Sequence, residues 1–244
     1  MDSSRTTAAF LSRGRRPTNT YEETVERLLQ AIRLGVIAPA ERLPSERELV
    51  EMLKVSRATV RDALATLIEH GYVISKRGRY GGSFVVENLP ERDASIGTPA
   101  KLEESELENI SVLRRVLDVG AARVAAGRDL SAAERATLQD VLDESLRAST
   151  ADYRRLDSKL HLAIAEATGS QDLVRLMADL RTRLNNALGA LPLLARNLSH
   201  SNEQHTAIVH AILAGQPDVA AQAMTEHVEG SDALLRGFLS DGRT

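Results

Sequence analysis

Two helix-start signals placed close together, at Ser45 and Ser56, constrain the fold of this chain most strongly. They lie in LPSERELVEMLKVSRATVRDAL, residues 43–64. Ser45 and Glu48 form a capping box, the pattern that satisfies the free N–H groups at the start of a helix. The helix that it opens is predicted over residues 46–53, which leaves two residues before Ser56 caps the next helix. The stretch therefore predicts two short helices that meet at a tight turn.

The sequence around this stretch completes a small domain. A capping box of Thr20 and Glu23 starts an earlier helix that ends near Gly35. Two β-prone runs, YVISK and SFVV, flank the basic, glycine-rich RGRYGG and predict a hairpin over residues 72–86. The order helix, helix, turn, helix, hairpin over residues 20–87 predicts a winged helix-turn-helix with a small β-hairpin. Apolar residues expected in its helices are Leu49, Val50, Leu53, Val60, Ala63, Leu64, Leu67 and Ile68.

Charge is distributed unevenly along the 244 residues. Residues 1–87 contain 14 Lys and Arg against 11 Asp and Glu, whereas residues 88–244 contain 17 against 23. A basic front and an acidic back favour two domains with different partners. The chain has no Cys, which excludes disulfides and thiolate metal ligands and leads us to expect a cytoplasmic protein. No apolar run approaches the roughly 18–20 residues that span a bilayer, so we expect no membrane partner.

The rest of the chain is predicted to be mainly α-helical. Residues 1–19 are interpreted as a flexible basic arm and residues 88–104, which lack apolar periodicity, as a linker. Residues 105–240 form an all-α bundle in this interpretation. Its six helices are predicted over residues 105–126, 131–148, 152–168, 170–190, 200–214 and 216–237.

Arginines at the groove-facing ends of the two short helices indicate DNA binding. In a helix-turn-helix the second helix enters the major groove, with its first residues nearest the bases. Arg57 and Arg61 suit bidentate contact with guanine, and Arg47 suits a phosphate. Ser56 and Thr59 can also donate to DNA. A solvated helix face is the alternative interpretation of the arginines. At the hairpin tip, Arg77 and Gly78 are candidates for the adjacent minor groove.

The run LPSERELVEMLKVSRATVRDALATLIEHGYV, followed by the basic hairpin, resembles the DNA-binding domain of GntR-family bacterial regulators. The resemblance covers about residues 20–87. Family members often have Gly at the position of Ala40 and Thr at the position of Ser83. The residues that the resemblance places against DNA are Arg47, Arg57, Arg61, Arg77 and Gly78.

Three histidines and one aspartate share the phase of apolar stripes on three predicted helices. Asp157 and His161 are four residues apart on one helix, and His205 and His227 lie on two others. Burial of three imidazoles beside a carboxylate is costly unless a divalent metal neutralises and satisfies them. The set suits Zn²⁺, with Mn²⁺, Ni²⁺ or Fe²⁺ also compatible. Hydrogen-bonded core histidines are the alternative. The other histidines are expected at a helix end or on the surface: His70, His200 and His210.

The segments LDSKLHLAIAEATGS, EQHTAIVHAI and AMTEHVEG resemble the FCD ligand-binding domain of FadR-type GntR regulators. The resemblance implies that the four residues above are the metal ligands. RRVLDVGAARVAA resembles the segment that opens the domain, with Asp118 where Glu is common. A sensor site of this kind takes a carboxylate effector aided by a cation, for which Arg114 is the candidate. An exposed helix arginine is the alternative.

These observations predict a metabolite-responsive transcription factor, more often a repressor in this family. We expect a homodimer on pseudo-palindromic double-stranded operator DNA, switched by an organic acid at the metal site. A metalloenzyme such as a metal-assisted hydrolase with a DNA-binding appendage is the main rival. A helical metal-storage or scaffold protein is a third possibility.

Overall fold

The computed structural model describes residues 20–78, 81–90, 104–188 and 195–241. These residues divide into two compact units, one made of residues 20–32 with 37–90 and the other of residues 33–36 with 104–241. The proposed arm at residues 1–19 and most of the proposed linker lie outside the described residues.

The first unit contains three helices and a hairpin, as predicted. The helices are α1 (Thr20–Arg33), α2 (Glu46–Leu53) and α3 (Arg57–Glu69). The strands β1 (Val73–Lys76) and β2 (Gly82–Val85) pair in antiparallel register, with Val73 opposite Val85 and Lys76 opposite Gly82. The buried apolar residues of this unit are Leu28, Leu29, Ile32, Leu43, Leu49, Val60, Ala63, Leu64, Leu67, Tyr72, Val73 and Val85.

The turn between α2 and α3 is built as the sequence predicts. Ser45 Oγ accepts from the Glu48 N–H, and Glu48 Oε2 accepts from the Ser45 N–H at 2.7 Å, which completes the capping box. Lys54 then adopts the left-handed conformation, with φ of 55°, and its N–H donates to Val50 O to close α2. Ser56 Oγ accepts from the Thr59 N–H at 3.0 Å and starts α3. Two caps and one left-handed residue thus fix the helix-turn-helix.

Some details of this unit differ from the prediction. Thr20 is already a helical residue of α1 rather than the cap that precedes it. Ile68 is 41% exposed, because it lies about 100° around the helix from Leu67, at the margin of the apolar stripe. Val50 and Leu53 are only partly buried, which leaves Leu49 as the buried residue of α2.

The second unit is an all-α bundle of six helices within the described residues. They are α4 (Glu104–Ala126), α5 (Ala132–Leu146), α6 (Tyr153–Glu166), α7 (Gln171–Leu188), α8 (Ala195–Leu213) and α9 (Pro217–Asp241). The bounds agree with the predicted ones to a few residues, except that α8 begins five residues early and α9 ends four residues late. Asn197 and Ser199 are weak helix formers, but the Ala, Arg and Leu residues beside them favour a helix.

Helix α4 is the central element of this bundle. It packs against α6, α7, α8 and α9. Its second half presents four alanines to the core, each at most 2% exposed, and such small side chains allow neighbouring helices to approach closely: Ala121, Ala122, Ala125 and Ala126. The turns just before these alanines bring Arg114 and Asp118 into the interior. None of the helices in the described part of the chain is long and apolar enough to cross a bilayer.

Candidate nucleic-acid interface and metal centre

The predicted DNA-contacting arginines all lie on the surface of the first unit. Arg47, Arg57, Arg61 and Arg77 are exposed. The Arg61 side chain is 63% exposed, and its Nε donates to Glu46 Oε2 at 2.8 Å, which joins the start of α3 to the start of α2. An exposed pair of this kind contributes little stability and holds the guanidinium at the helix-turn-helix surface.

The two hydroxyl candidates at the start of α3 are engaged with each other. Ser56 Oγ lies 2.8 Å from Thr59 Oγ1, in addition to capping the Thr59 N–H. Their hydroxyls therefore build the first turn of α3 and remain at its exposed end. At the hairpin tip, Gly78 is exposed with φ of 107°, a conformation that L side chains rarely adopt.

The four predicted metal ligands converge in the second unit. Asp157 and His161 come from α6, His205 from α8 and His227 from α9, and one donor atom of each lies within 4.8 Å of the others. The ring centroids of the three histidines are 4.6–5.6 Å apart. All three rings are buried, with exposures of 1%, 1% and 5%. Residues up to 70 positions apart in the sequence therefore meet in the structure, as their positions on the helix faces predicted.

Two of the rings have Nδ1 engaged in a hydrogen bond, which leaves Nε2 as the ring nitrogen that could ligate a metal. His161 Nδ1 donates to Asp118 Oδ1 at 2.9 Å, because an ionised carboxylate can only accept. His227 Nδ1 lies 3.2 Å from Gln204 Oε1, which likewise accepts. With the proton on Nδ1, each Nε2 retains its lone pair, the form that ligates metals.

Several nitrogen atoms in the cluster are buried without a hydrogen-bond partner. They are Nε2 of His161 and both ring nitrogens of His205. Asp157 Oδ1 lies 3.3 Å from His205 Nε2 and 4.0 Å from His161 Nε2. Buried polar atoms are almost always satisfied, so these orphan nitrogens facing a carboxylate fit a divalent cation. The donor set, three imidazoles and one carboxylate, is also one that Zn²⁺ accepts.

Two of the three rings, those of His205 and His227, are held in the neutral form that ligation requires. Burial, reinforced by the neighbouring rings, lowers the pKa of His205 and of His227 well below the ordinary histidine value. For Asp118, burial opposes ionisation, but contact with His161 and the nearby Arg114 outweighs it and lowers the pKa of that carboxyl below its usual range. His205 and His227 are thus neutral, while Asp118 beside the cluster is ionised.

The sequence matches known families in both units. The gntR family of bacterial regulatory proteins matches residues 20–85, and the FCD domain matches residues 109–230. The chain belongs to the GntR family. It is 34% identical to RmpR of Mycobacterium gastri, over 84% of this chain and 76% of that protein. It is 31% identical to the HTH-type transcriptional repressor NanR of Cronobacter sakazakii, over 89% and 86%.

A solved structure agrees with this assignment at the level of the fold. The E. coli protein McbR/YncC matches with a TM-score of 0.54 at 19% identity, covering 91% of this chain and 99% of that one. This GntR-family chain is therefore a transcriptional regulator with a DNA-binding helix-turn-helix domain and an FCD effector-binding domain, the combination expected of the FadR-type subfamily. The rival prediction of a metalloenzyme is wrong, because the matched families are regulators and not enzymes.

In the FCD domain of this GntR-family protein, Arg114 lies in the core. It is 1% exposed, so the alternative of a surface arginine is wrong. Its Nη1 donates to Ser231 Oγ at 2.5 Å and to Asp232 Oδ1 at 3.2 Å, and its Nε lies 3.5 Å from Asp118 Oδ2. Arg114 therefore sits between two carboxylates, one of which supports His161.

The sequence interpretation missed Arg181 on α7, which lies beside the cluster. It is 1% exposed and donates through Nη2 to Asp157 Oδ2, while its Nε and Nη1 are buried without a hydrogen-bond partner. Burial lowers its pKa to about 10, so the guanidinium stays charged at neutral pH. The sequence did contain a sign that Arg181 is buried, because Arg181 lies on the same helix face as the apolar residues Met177 and Leu184.

Proposed function

We propose that this regulator is a repressor that binds operator DNA as a homodimer and releases it when an organic acid occupies a metal-containing site in the FCD domain. The observation that carries the proposal is the convergence of four donor atoms within 4.8 Å, with orphan nitrogens on His161 and His205. Zn²⁺ is the first candidate metal, and Mn²⁺, Ni²⁺ and Fe²⁺ also suit the donor set.

Operator reading is assigned to the exposed start of α3. Arg57 and Arg61 contact guanine O6 and N7 in the major groove, and Arg47 positions the domain on phosphate. Ser56 and Thr59 reach the DNA from the capped end of the helix. Arg77 and Gly78 enter the minor groove from the hairpin tip. The support is the exposure of all four arginines on one small domain whose family binds DNA.

The metal is assigned to Asp157, His161, His205 and His227. When bound, it supplies positive charge and open coordination positions for an anionic ligand. Asp118 and Gln204 orient two of the imidazoles through their Nδ1 protons. A metal held by residues of three helices favours one arrangement of α6, α8 and α9. Binding of the effector at this metal can therefore shift the packing of the bundle.

Arg181 is assigned as the cation that recognises the effector carboxylate. A guanidinium with two buried, unpaired N–H-bearing nitrogens beside a proposed metal ligand is suited to a second carboxylate. Arg114, the candidate from the sequence, is already held by Asp118 and Asp232. In this proposal Arg114 acts on the effector indirectly, by supporting Asp118.

The homodimer is supported by an apolar face on α4. Val112 and Val116 are 50% and 64% exposed, four residues apart on the same side of the helix, and Gly120 continues that side with open space around it. An exposed apolar face of this kind is typical of self-association. Two-fold symmetry would then match two half-sites of an operator. The name of NanR as a repressor supports the sign of regulation.

A DNA-binding titration tests the proposed function. Zinc-loaded full-length protein is titrated by fluorescence anisotropy into DNA from the promoter regions beside its gene, with and without carboxylic acids. We expect salt-sensitive, sequence-specific binding that one class of acid weakens and that a chelator makes insensitive to the acid. No sequence-specific binding at any salt concentration would refute the proposal.

A further inference from the structure

The first residue of α2 is an acidic side chain in contact with an arginine that is assigned to the operator. Glu46 Oε2 accepts a hydrogen bond from Arg61 Nε at 2.8 Å, across fifteen positions of the sequence. The contact joins the two helices of the helix-turn-helix. A carboxylate at a surface that meets DNA is repelled by the phosphates, because both are negatively charged. The presence of Glu46 beside Arg61 therefore calls for a function that offsets this repulsion.

The capping of α2 does not depend on Glu46. The capping box is completed by Glu48, whose Oε2 accepts from the N–H and the hydroxyl of Ser45 at 2.7 Å. Glu46 is the first helical residue, where any acidic side chain interacts favourably with the helix dipole. That interaction requires a negative charge, but it does not require a side chain long enough to reach Arg61. The stability of α2 therefore does not explain the contact.

The contact with Glu46 leaves one edge of the Arg61 guanidinium available. Among the residues that the structure describes, the hydrogen-bond partner of Arg61 is Glu46, and the bond uses Nε alone. Nη1 and Nη2 form the end of the planar fork, an edge that can donate two parallel hydrogen bonds. Guanine presents two acceptors, O6 and N7, in the major groove. Because the Arg61 side chain is 63% exposed, this edge is accessible to a base.

The contact changes how Arg61 can bind DNA. An unrestrained arginine side chain samples many rotamers, and one that is held in place before DNA arrives loses less conformational entropy on binding. The carboxylate of Glu46 also offsets part of the positive charge, which weakens the attraction to an arbitrary phosphate. A guanine still receives two hydrogen bonds from the available edge. The pair therefore favours base contact over phosphate contact.

We propose that Glu46 is a positioning residue for operator recognition. It holds Arg61 through Nε, so that the edge formed by Nη1 and Nη2 contacts O6 and N7 of one guanine. It thereby raises the preference of the protein for operator DNA over random DNA, without contacting a base itself. This inference rests on the proposed function, in which Arg61 reads guanine.

A guanine analogue measures the contact of Arg61 directly. The operator, taken as the promoter fragment that the full-length protein binds most tightly, is prepared with one guanine at a time replaced by 7-deazaguanine, which lacks the N7 acceptor. Anisotropy titrations give the loss of affinity at each position. The guanine read by Arg61 is the one whose replacement weakens the wild-type protein but not Arg61→Ala. We expect a loss of about ten-fold there, the usual cost of one hydrogen bond to a charged group.

Two substitutions of Glu46 disturb the contact in different ways. Glu46→Gln removes the charge, whereas Glu46→Asp keeps the charge in the first turn of α2 but is one methylene shorter. In both variants the loss at the Arg61 guanine should fall below about three-fold, because a neutral or shortened acceptor holds Nε less firmly. The ratio of operator to random-DNA affinity should fall with it, while the loss at the guanine read by Arg57 should remain. Glu51→Gln removes the same charge at an exposed position of α2 and should keep the full loss at both guanines.

The results that contradict this role differ from those that contradict operator binding. An undiminished loss at the Arg61 guanine in both Glu46 variants overturns the role of Glu46, and so does an equal reduction in Glu51→Gln, which would indicate a general effect of charge. If no loss depends on Arg61, the assignment of Arg61 to guanine fails together with the inference, whereas sequence-specific binding stands on its own titration. Melting temperatures establish that each variant is folded, and if one Glu46 variant unfolds, the other decides the result.

Discussion

Asp118 Oδ1 accepts a hydrogen bond from His161 Nδ1 at 2.9 Å, although the two residues are 43 positions apart and lie on different helices. The contact fixes the tautomer of the ring, so Nε2 faces Asp157 and His205. Without it, either nitrogen could carry the proton. The preorganisation of the proposed metal site therefore depends on a carboxylate that is not itself one of the four ligands.

Replacement of Asp118 by Asn should weaken zinc binding by about 10–100-fold, the usual effect of losing a carboxylate that orients a histidine ligand. Competition with a chromophoric chelator measures the affinity. Asp140→Asn, at an exposed position on α5, is the matched control and should bind zinc normally. Unchanged affinity in Asp118→Asn would contradict the orienting role.

Metal-free protein should lose stability as the pH falls below about 6.5. Burial lowers the pKa of His205 and of His227 in the folded state, whereas in the unfolded chain they titrate near 6.5. Below that pH the unfolded state binds more protons, so the free energy of unfolding decreases by up to about 1.4 kcal/mol per pH unit for each histidine. The contribution is fully present above pH 6.5.

Urea unfolding of the metal-free protein at pH 7.5, 6.0 and 5.0 measures this slope. His205→Gln should make the slope shallower, and His200→Gln, at an exposed position, should leave it unchanged. A pH-independent free energy of unfolding across this range would show that the rings are not held neutral.

Arg57→Ala and Arg47→Ala should weaken DNA binding in different ways. Loss of a base-reading Arg57 should cost about 1–3 kcal/mol on operator DNA and relax specificity. Loss of a phosphate-contacting Arg47 should weaken operator and random DNA alike and reduce the salt slope by about one. Anisotropy titrations at several salt concentrations separate the two, with exposed Arg175→Ala on α7 as the control. Identical behaviour of both variants would refute this division of roles.

Ala40→Gly should stabilise the first unit by about 0.5–1 kcal/mol. Ala40 has φ of 63°, a left-handed conformation that is strained for a residue with a Cβ atom, while its N–H donates to Val85 O at 3.1 Å. Glycine relieves the strain and keeps the hydrogen bond. Denaturant unfolding measures the change. Ala38→Gly in the same turn, which is not in this conformation, should destabilise instead, and a loss of stability in both variants would argue against strain at position 40.

Val116→Glu should convert the proposed homodimer to a monomer. Val116 is 64% exposed at the centre of the apolar face of α4, and a charge there would have to be buried against its symmetry mate. Light scattering after size-exclusion chromatography measures the mass. Val219→Glu introduces the same change at a valine 54% exposed on α9 and should leave the mass unchanged. A Val116→Glu dimer would place the interface elsewhere.

Sequence periodicity predicted the helices and the convergence of the four proposed metal ligands for the same physical reason. The three histidines share the phase of apolar stripes such as Ile208 and Ile212 beside His205, and a residue in phase with the core points inward. The caps at Ser45 and Ser56 are formed by residues three apart in the sequence. The starts of α2 and α3 could therefore be predicted directly from the sequence.

The residues that hold the proposed metal ligands in place do so through contacts between distant parts of the sequence. Sequence periodicity does not reveal such contacts. Arg114 is buried because Asp232, 118 positions away, neutralises it, and nothing near Arg114 in the sequence indicates that partner. Gln204 and Arg181 were missed because polar residues are normally assigned to the surface. Predicting them required knowledge of which helices pack together.

Helix α4 begins at Glu104, immediately after the segment that leads from the DNA-binding domain, and it carries Asp118 fourteen residues later. At 1.5 Å per residue, that is a rod about 21 Å long. Asp118 and Glu104 thus belong to one continuous helix, with the His161 contact about four turns from its first residue. If the proposed metal centre fixes Asp118 through His161, helix α4 would carry that constraint to its own first turn at Glu104.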